Sequence, residues 1–307
     1  MDVFQGINGG SALVIRVHHC IADGIALIRV LLSMTTPVAP ENEPAQGHKR
    51  PAKDSPLMQL LQLVVGLLAA FPHALKLPDS DSQLKKPLSG KRETSWSQPL
   101  ELDQIRHLAK LNNAKINDVV LAATAGALRN YLIENGANPD NMTLRVLVPI
   151  NLKPLDGEIV LGNQVGFVYL PLPIHENAPI NRLNAVKQSM NQIKGGQEAM
   201  LSLLSLKLIG SLPPFLQTTI IDTFNKNASS TMTNVPGPKT PLRLAGHTIE
   251  NMMFFGPQSG TMGVGISVLS YAGSMTMAIN SDANLIPDPQ RLANLFTKEI
   301  EDWPIKP

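Results

Sequence analysis

The sequence predicts an α/β protein (α+β, with mixed sheets), and three observations carry that expectation. Short β-branched runs bounded by glycine or proline, such as Ala12-Leu13-Val14-Ile15-Arg16-Val17 after Gly9-Gly10, have the composition of strands. Longer runs without a breaker, such as Ile25 to Leu32 and Ile116 to Leu132, carry apolar and small residues at helical spacing. The two kinds of run succeed one another along 307 residues that are 43% hydrophobic and 16% charged, enough for one large or two ordinary domains with real cores.

Taken in order, the first run is expected to be a buried strand, and the second a helix entered at Gly24. Residues Thr35 to Asp54, with four prolines among polar residues, read as a solvated linker. Pro56 to Leu77 is apolar but interrupted by Gln59, Gln62 and Gly66, and its apolar run falls short of the ~20 residues needed to span a bilayer. It suits a helix lying on a lipid surface or packed between domains. Asp79 to Gly90 is polar again. Asp103 opens the next helix, and Asn117 is expected to cap the small-residue helix that follows. Arg145 to Lys153 reads as a strand ending at a proline, and Gly162 to Pro173 as another. Helical patterns occupy about Asn181 to Ile193, Glu198 to Ile209 and Pro214 to Asn225. Pro236-Gly237-Pro238 fixes a turn after a strand. Strands then alternate with glycine turns through Gly273, and Pro287-Asp288-Pro289 caps a last helix.

The chemistry concentrates where the first strand meets the first helix, at His18-His19-Cys20-Ile21-Ala22-Asp23-Gly24. A neutral imidazole, with a pKa near ~6.5, takes a proton from a hydroxyl or amine and returns it to a leaving group. It needs a ring held at a fixed angle. Asp23 could orient the ring or lock the turn, and Gly24 could supply positive φ or a close backbone approach. Two surface histidines and a helix-capping aspartate would also satisfy the pattern.

Composition excludes other classes. A net charge of +2, with three tyrosines and two tryptophans, offers no nucleic-acid surface. The single cysteine, Cys20, rules out an intrachain disulfide and reads as a small apolar filler. No Cys/His spacing suggests a metal.

The pattern His-His-x-x-x-Asp-Gly after a β-branched strand resembles the active-site motif of the CoA-dependent acyltransferase superfamily. Further segments narrow the resemblance to the bacterial wax ester synthase/diacylglycerol acyltransferases. These are Asn117-Asp118-Val119-Val120-Leu121-Ala122, Val148-Pro149-Ile150-Asn151-Leu152-Lys153, Gly162-Asn163-Gln164, Thr233-Asn234-Val235-Pro236-Gly237-Pro238 and Ser270-Tyr271-Ala272-Gly273. Lys115 and Asn112-Asn113 depart from that family's pattern, and Thr233 stands where it has serine.

The resemblance implies a chloramphenicol acetyltransferase-like two-domain fold. On that basis residues 1–35 are the end of an incomplete first domain, 36–90 a linker with an amphipathic helix, and 91–307 the second domain. The motif comes so early that the chain is expected to be an amino-terminally truncated member. The resemblance also implies that His19 is the general base for moving a fatty acyl group from acyl-CoA to diacylglycerol or a long-chain alcohol. His18, Asp23, Gly24, Asn117 and Asp118 would shape the site. Thr233 or Asn234 would hold the oxyanion. Acyl-CoA is a substrate, and neither cofactor nor metal is called for. The expected setting is the cytoplasm, at the periphery of membranes or lipid inclusions. Two rivals stand beside this reading: a lipid- or droplet-binding protein without catalysis, and an amide-forming condensation domain.

Overall fold

A computed structural model describes residues 1–7, 9–21, 24–38, 79–151, 165–195, 198–258 and 260–304. Asp23, the 56–77 stretch, and Asn163 with Gln164 lie outside them. The chain opens with a hairpin, β1 (Asp2–Ile7) and β2 (Gly10–Val14), followed by α1 (Gly24–Leu32) and a short β3 (Thr36–Pro37). The main body comprises β4 (Arg92–Trp96), β5 (Leu100–Glu101), α2 (Leu102–Leu111), α3 (Ile116–Glu134), β6 (Leu144–Asn151) and β7 (Val165–Leu172). It continues with α4 (Pro179–Gly195), α5 (Glu198–Gly210), α6 (Pro214–Asn225), β8 (Ser230–Pro236), β9 (Leu242–Leu244), β10 (His247–Thr248), β11 (Val264–Tyr271), β12 (Ser274–Asp282) and α7 (Pro289–Glu301).

A mixed sheet organises the body, in the order β4-β12-β11-β8-β6-β7, with β5 also on β12. The β11–β8 and β8–β6 pairs are parallel and the others antiparallel. One face carries Met232, Ile266, Val268, Met277 and Ile279 into the principal core, which α3 and α7 complete. α3 lies between α4 and α7. Its run from Val119 to Leu128 is buried all round, as a helix with no polar face must be. At Gly126 a Cβ would occupy the place now taken by the Arg182 and Glu299 side-chain ends, which close over the bare backbone.

Those two residues form a buried ion pair. Arg182 also donates to the carbonyls of Asn177 (2.7 Å), Glu176 (3.2 Å) and Ala122 (3.3 Å), while Asn130 donates to Glu299 at 2.8 Å. Burial pushes the Glu299 carboxyl above its ordinary range, against the pull of the Arg182 guanidinium. The extra hydrogen bonds are what make such a desolvated pair tolerable.

Two sequence expectations change here, and a polar stretch gains a structure. β2 is a strand but not a buried one: both strands of the hairpin are exposed along almost their whole length. Among the described residues the hairpin is a sheet of two strands, too few to bury a face of its own. β6 runs through Pro149 instead of stopping at it. Among the described residues its pairing with β8 covers Val146 and Leu147 and stops short of Pro149, a position where proline is tolerated. Residues 79–90, polar in composition, form a packed strap. Asp79 accepts from the Arg145 N–H (2.9 Å) and the Ser229 hydroxyl (2.7 Å), and Lys85 donates to the carbonyls of Lys226 and Ala228, both at 2.7 Å. Burial raises the Asp79 carboxyl pKa and lowers that of the Lys85 amine.

Candidate active site

The histidine turn is built by local hydrogen bonds. The Ile21 N–H donates to the His18 carbonyl at 3.2 Å, and the Cys20 N–H donates to His18 Nδ1 at 3.3 Å. Neutral His18 therefore carries its proton on Nε2. His18 is exposed and His19 half-buried. Cys20, expected as a filler, is exposed instead. Gly24 begins α1 without positive φ, and nothing lies within 4 Å of the place its Cβ would take. The conformational freedom expected of it is thus not used; it serves as the start of the helix. The turn connects to the body through β3, whose Thr36 and Pro37 pair with Arg243 and Leu242 of β9.

The start of α3 corrects a second expectation. Asn117 is not the cap. Asp118, one position on, accepts from the Lys115 N–H at 2.9 Å and closes the end of its own helix. Asn117 is thereby released to face another element, and its Oδ1 accepts from Asn234 Nδ2 at 3.0 Å.

The Pro236-Gly237-Pro238 turn and the Ser270-Tyr271-Ala272-Gly273 segment prove to be two halves of one clasp. The Gly237 N–H donates to the Ser270 carbonyl (2.9 Å) and hydroxyl (3.3 Å), and the Ala272 N–H donates to the Pro238 carbonyl (2.9 Å). A Cβ on Gly237 would collide with the Ser270 carbonyl, so only glycine fits. The Tyr271 hydroxyl accepts from the Leu242 N–H and donates to the Ile249 carbonyl, both at 2.8 Å.

Successive strand residues point to opposite faces. Thr233 and Asn234, both candidate oxyanion donors, therefore cannot act from the same side of β8. Asn234 turns toward α3. Thr233 turns to the other face, where it pairs across the parallel ladder with Ser267 of β11. The Gly256 N–H donates to Ser267 Oγ at 3.0 Å, which lays the 254–258 segment over these hydroxyls. Sequence reasoning missed Gly256 and Ser267. The available signal was the two-residue period of small side chains, Gly263, Gly265 and Ser267, which marks a face approached closely by other backbone.

A cleft of about 420 Å³, lined by Asn130, Ile133, Glu134, Arg291 and Lys298 among others, lies at the opposite end of α3 from Asn117 and holds none of the signature residues. Among the described residues no His/Cys/Asp/Glu group is arranged to hold a metal ion, and no helix is long and apolar enough to cross a membrane.

The fold recurs in solved structures. The wax ester synthase/diacylglycerol acyltransferase from Marinobacter aquaeolei superposes with a TM-score of 0.63 at 19% identity, over 94% of this chain and 66% of that one. The epimerization domain of tyrocidine synthetase B gives 0.53 at 14% identity, over 98% and 70%. TRI3 trichothecene 15-O-acetyltransferase from Fusarium sporotrichioides gives 0.51 at 11%, over 81% and 53%. The architecture is therefore that of the chloramphenicol acetyltransferase-like acyltransferases and condensation domains.

Sequence narrows this further. Residues 161–303 match the WS/DGAT C-terminal domain. Two Mycobacterium tuberculosis proteins, described as "Probable diacyglycerol O-acyltransferase" tgs1 and tgs2, are each 26% identical over 98% of this chain, which covers 69% and 72% of their lengths. The chain is thus similar to the wax ester synthase/diacylglycerol acyltransferases in sequence and in fold, and spans about two thirds of the length of these relatives.

Proposed function

We propose that the chain is an acyl-CoA-dependent O-acyltransferase that esterifies a diacylglycerol or long-chain alcohol hydroxyl. The observation that carries this is the alignment of nearly the whole chain with proteins described as diacylglycerol O-acyltransferases, in a sequence that also holds His18-His19-x-x-x-Asp23-Gly24. In this reading His19 takes the acceptor's hydroxyl proton as its oxygen attacks the thioester carbonyl. The C–S bond then breaks, and His19 returns the proton to the CoA thiolate. A thioester is already activated, so the step needs no metal.

Of the two candidate oxyanion donors, the reading favours Thr233. The Asn234 amide is turned to Asn117 on the α3 side of β8, whereas the Thr233 hydroxyl lies on the other face, half-buried, where a donor could meet developing negative charge. Asn117 and Asp118 would then set the position of β8 against α3. Residues 1–35 are proposed as the end of one acyltransferase domain, 36–90 as the connection, and 91–307 as the second domain, within which the family match falls. Because the acceptors are lipids, work at a membrane or lipid-inclusion surface follows, with Pro56 to Leu77 the proposed contact.

The test is CoA release from hexadecanoyl-CoA, assayed separately with hexadecanol, diacylglycerol and a long-chain amine. Transfer to a hydroxyl that disappears in a folded His19→Ala protein is the expected result. Undiminished transfer by that variant, or transfer to the amine alone, would overturn the assignment.

A further inference from the structure

We infer that Ser267 is a positioning residue for the Thr233 hydroxyl, acting through the backbone of Gly256; the inference rests on the acyl-transfer reading above. Ser267 is buried, and its oxygen accepts the Gly256 N–H at 3.0 Å. Thr233 occupies the paired position on β8, on the same face of the sheet. Gly256 roofs both hydroxyls. A Cβ there would stand 3.4 Å from Ser267 Oγ and 4.0 Å from Thr233 Oγ1.

The glycine is not needed for conformation, since its φ is not positive. What its missing side chain provides is space directly above Thr233, which is only half-buried. The roof is fixed at a second point by Gln258, whose side chain donates to the Asn280 carbonyl and accepts from Arg92. A chain segment anchored at Gly256 and Gln258 beside the half-buried Thr233 side chain sets the space around that hydroxyl and so how closely an acyl carbonyl reaches it. Small displacements of such a donor cost rate and leave ground-state binding largely alone.

The experiment compares Ser267→Ala, Gly256→Ala, Thr233→Val and the Ser267→Ala/Thr233→Val double variant of the full chain, with hexadecanoyl-CoA and hexadecanol. Amide hydrogen exchange at Gly256 and thermal unfolding are measured alongside. Ser267→Ala is expected to lower kcat about tenfold with KM for acyl-CoA unchanged, and to speed exchange at Gly256. Gly256→Ala should lower kcat without loss of thermal stability. In the Thr233→Val background, Ser267→Ala should cost nothing further, because the group it positions is gone. A full, additive loss in the double variant, unchanged kcat in Ser267→Ala, or unchanged exchange at Gly256 overturns the inference. If instead Thr233→Val and His19→Ala both leave the rate intact, it is the underlying acyl-transfer reading that fails.

Discussion

Asn234 donates its side-chain amide to the Oδ1 of Asn117 at 3.0 Å, joining the end of β8 to the first turn of α3. Two sequence signatures more than a hundred residues apart are thus one structural joint. Its polarity gives an asymmetric prediction. Asn117→Asp keeps the acceptor and adds a negative charge where the helix dipole welcomes it, so stability should be nearly unchanged. Asn234→Asp replaces the donor with an acceptor facing an acceptor and should cost ~1–2 kcal/mol. Urea unfolding of the two variants checks this; equal losses would contradict the assigned direction of the bond.

The same joint shows how far the sequence could be read. Strand and helix positions were legible because proline, glycine and β-branched residues punctuate them, and the bounds of α6 match the expected Pro214 to Asn225. The roles of Asn117 and Asp118 were not, because both residue types cap helices and only the distant Asn234 distinguishes them. The contacts of residues 79–90 were hidden for a similar reason. The groups that Asp79, Lys85 and Ser89 engage lie far along the chain, and composition carries no trace of them. Of the candidate site, Thr233 and Asn234 were legible from the proline-glycine turn beside them. That they serve opposite faces follows only once β8 is placed in its sheet.

Asp282 anchors the strap and makes part of its hold pH-dependent. Its carboxylate accepts from the Ser89 N–H (2.9 Å) and hydroxyl (2.8 Å), the Gly90 N–H (2.8 Å) and the Asn284 N–H (3.0 Å). Burial works against the charged form, but these donors prevail and bring the pKa from 3.8 to about 2. A carboxylate depressed in the folded state stabilises above its unfolded value and loses that contribution as pH falls through the folded one. Melting temperature should therefore drop between pH 4 and pH 2 in the wild type. Asp282→Asn should start lower at pH 7 and fall less across that window. Parallel melting curves for the two proteins would refute the assignment.

Gly126 tests the packing of α3 against the buried Arg182–Glu299 pair. A methyl group at this position displaces the ends of both side chains. Gly126→Ala should consequently destabilise by ~3 kcal/mol despite alanine's better helix propensity, since both overpacking and disturbance of a buried pair weigh against it. Denaturant unfolding supplies the measurement. A gain in stability would mean that the pair can repack without cost.

The two tight hairpins of the body each place an alanine where the backbone is left-handed. Ala272 (φ +47°) and Gly273 (φ +87°) link β11 to β12, and Ala245 (φ +50°) and Gly246 (φ +85°) link β9 to β10. Two consecutive residues of positive φ form the turn that matches the twist of paired strands, and asparagine-glycine is its preferred sequence. Alanine bears a Cβ cost that asparagine offsets with local hydrogen bonding. Ala272→Asn and Ala245→Asn should each stabilise by ~0.5–1 kcal/mol and raise Tm by about 1–2 °C, with near-additive gains because the sites are separate. Gly273→Ala should move Tm the other way, as it puts a side chain at +87° in open space where only strain is added. Differential scanning calorimetry of the three variants decides the matter: a Gly273→Ala protein as stable as the wild type would show that these turns are not held in the left-handed conformation.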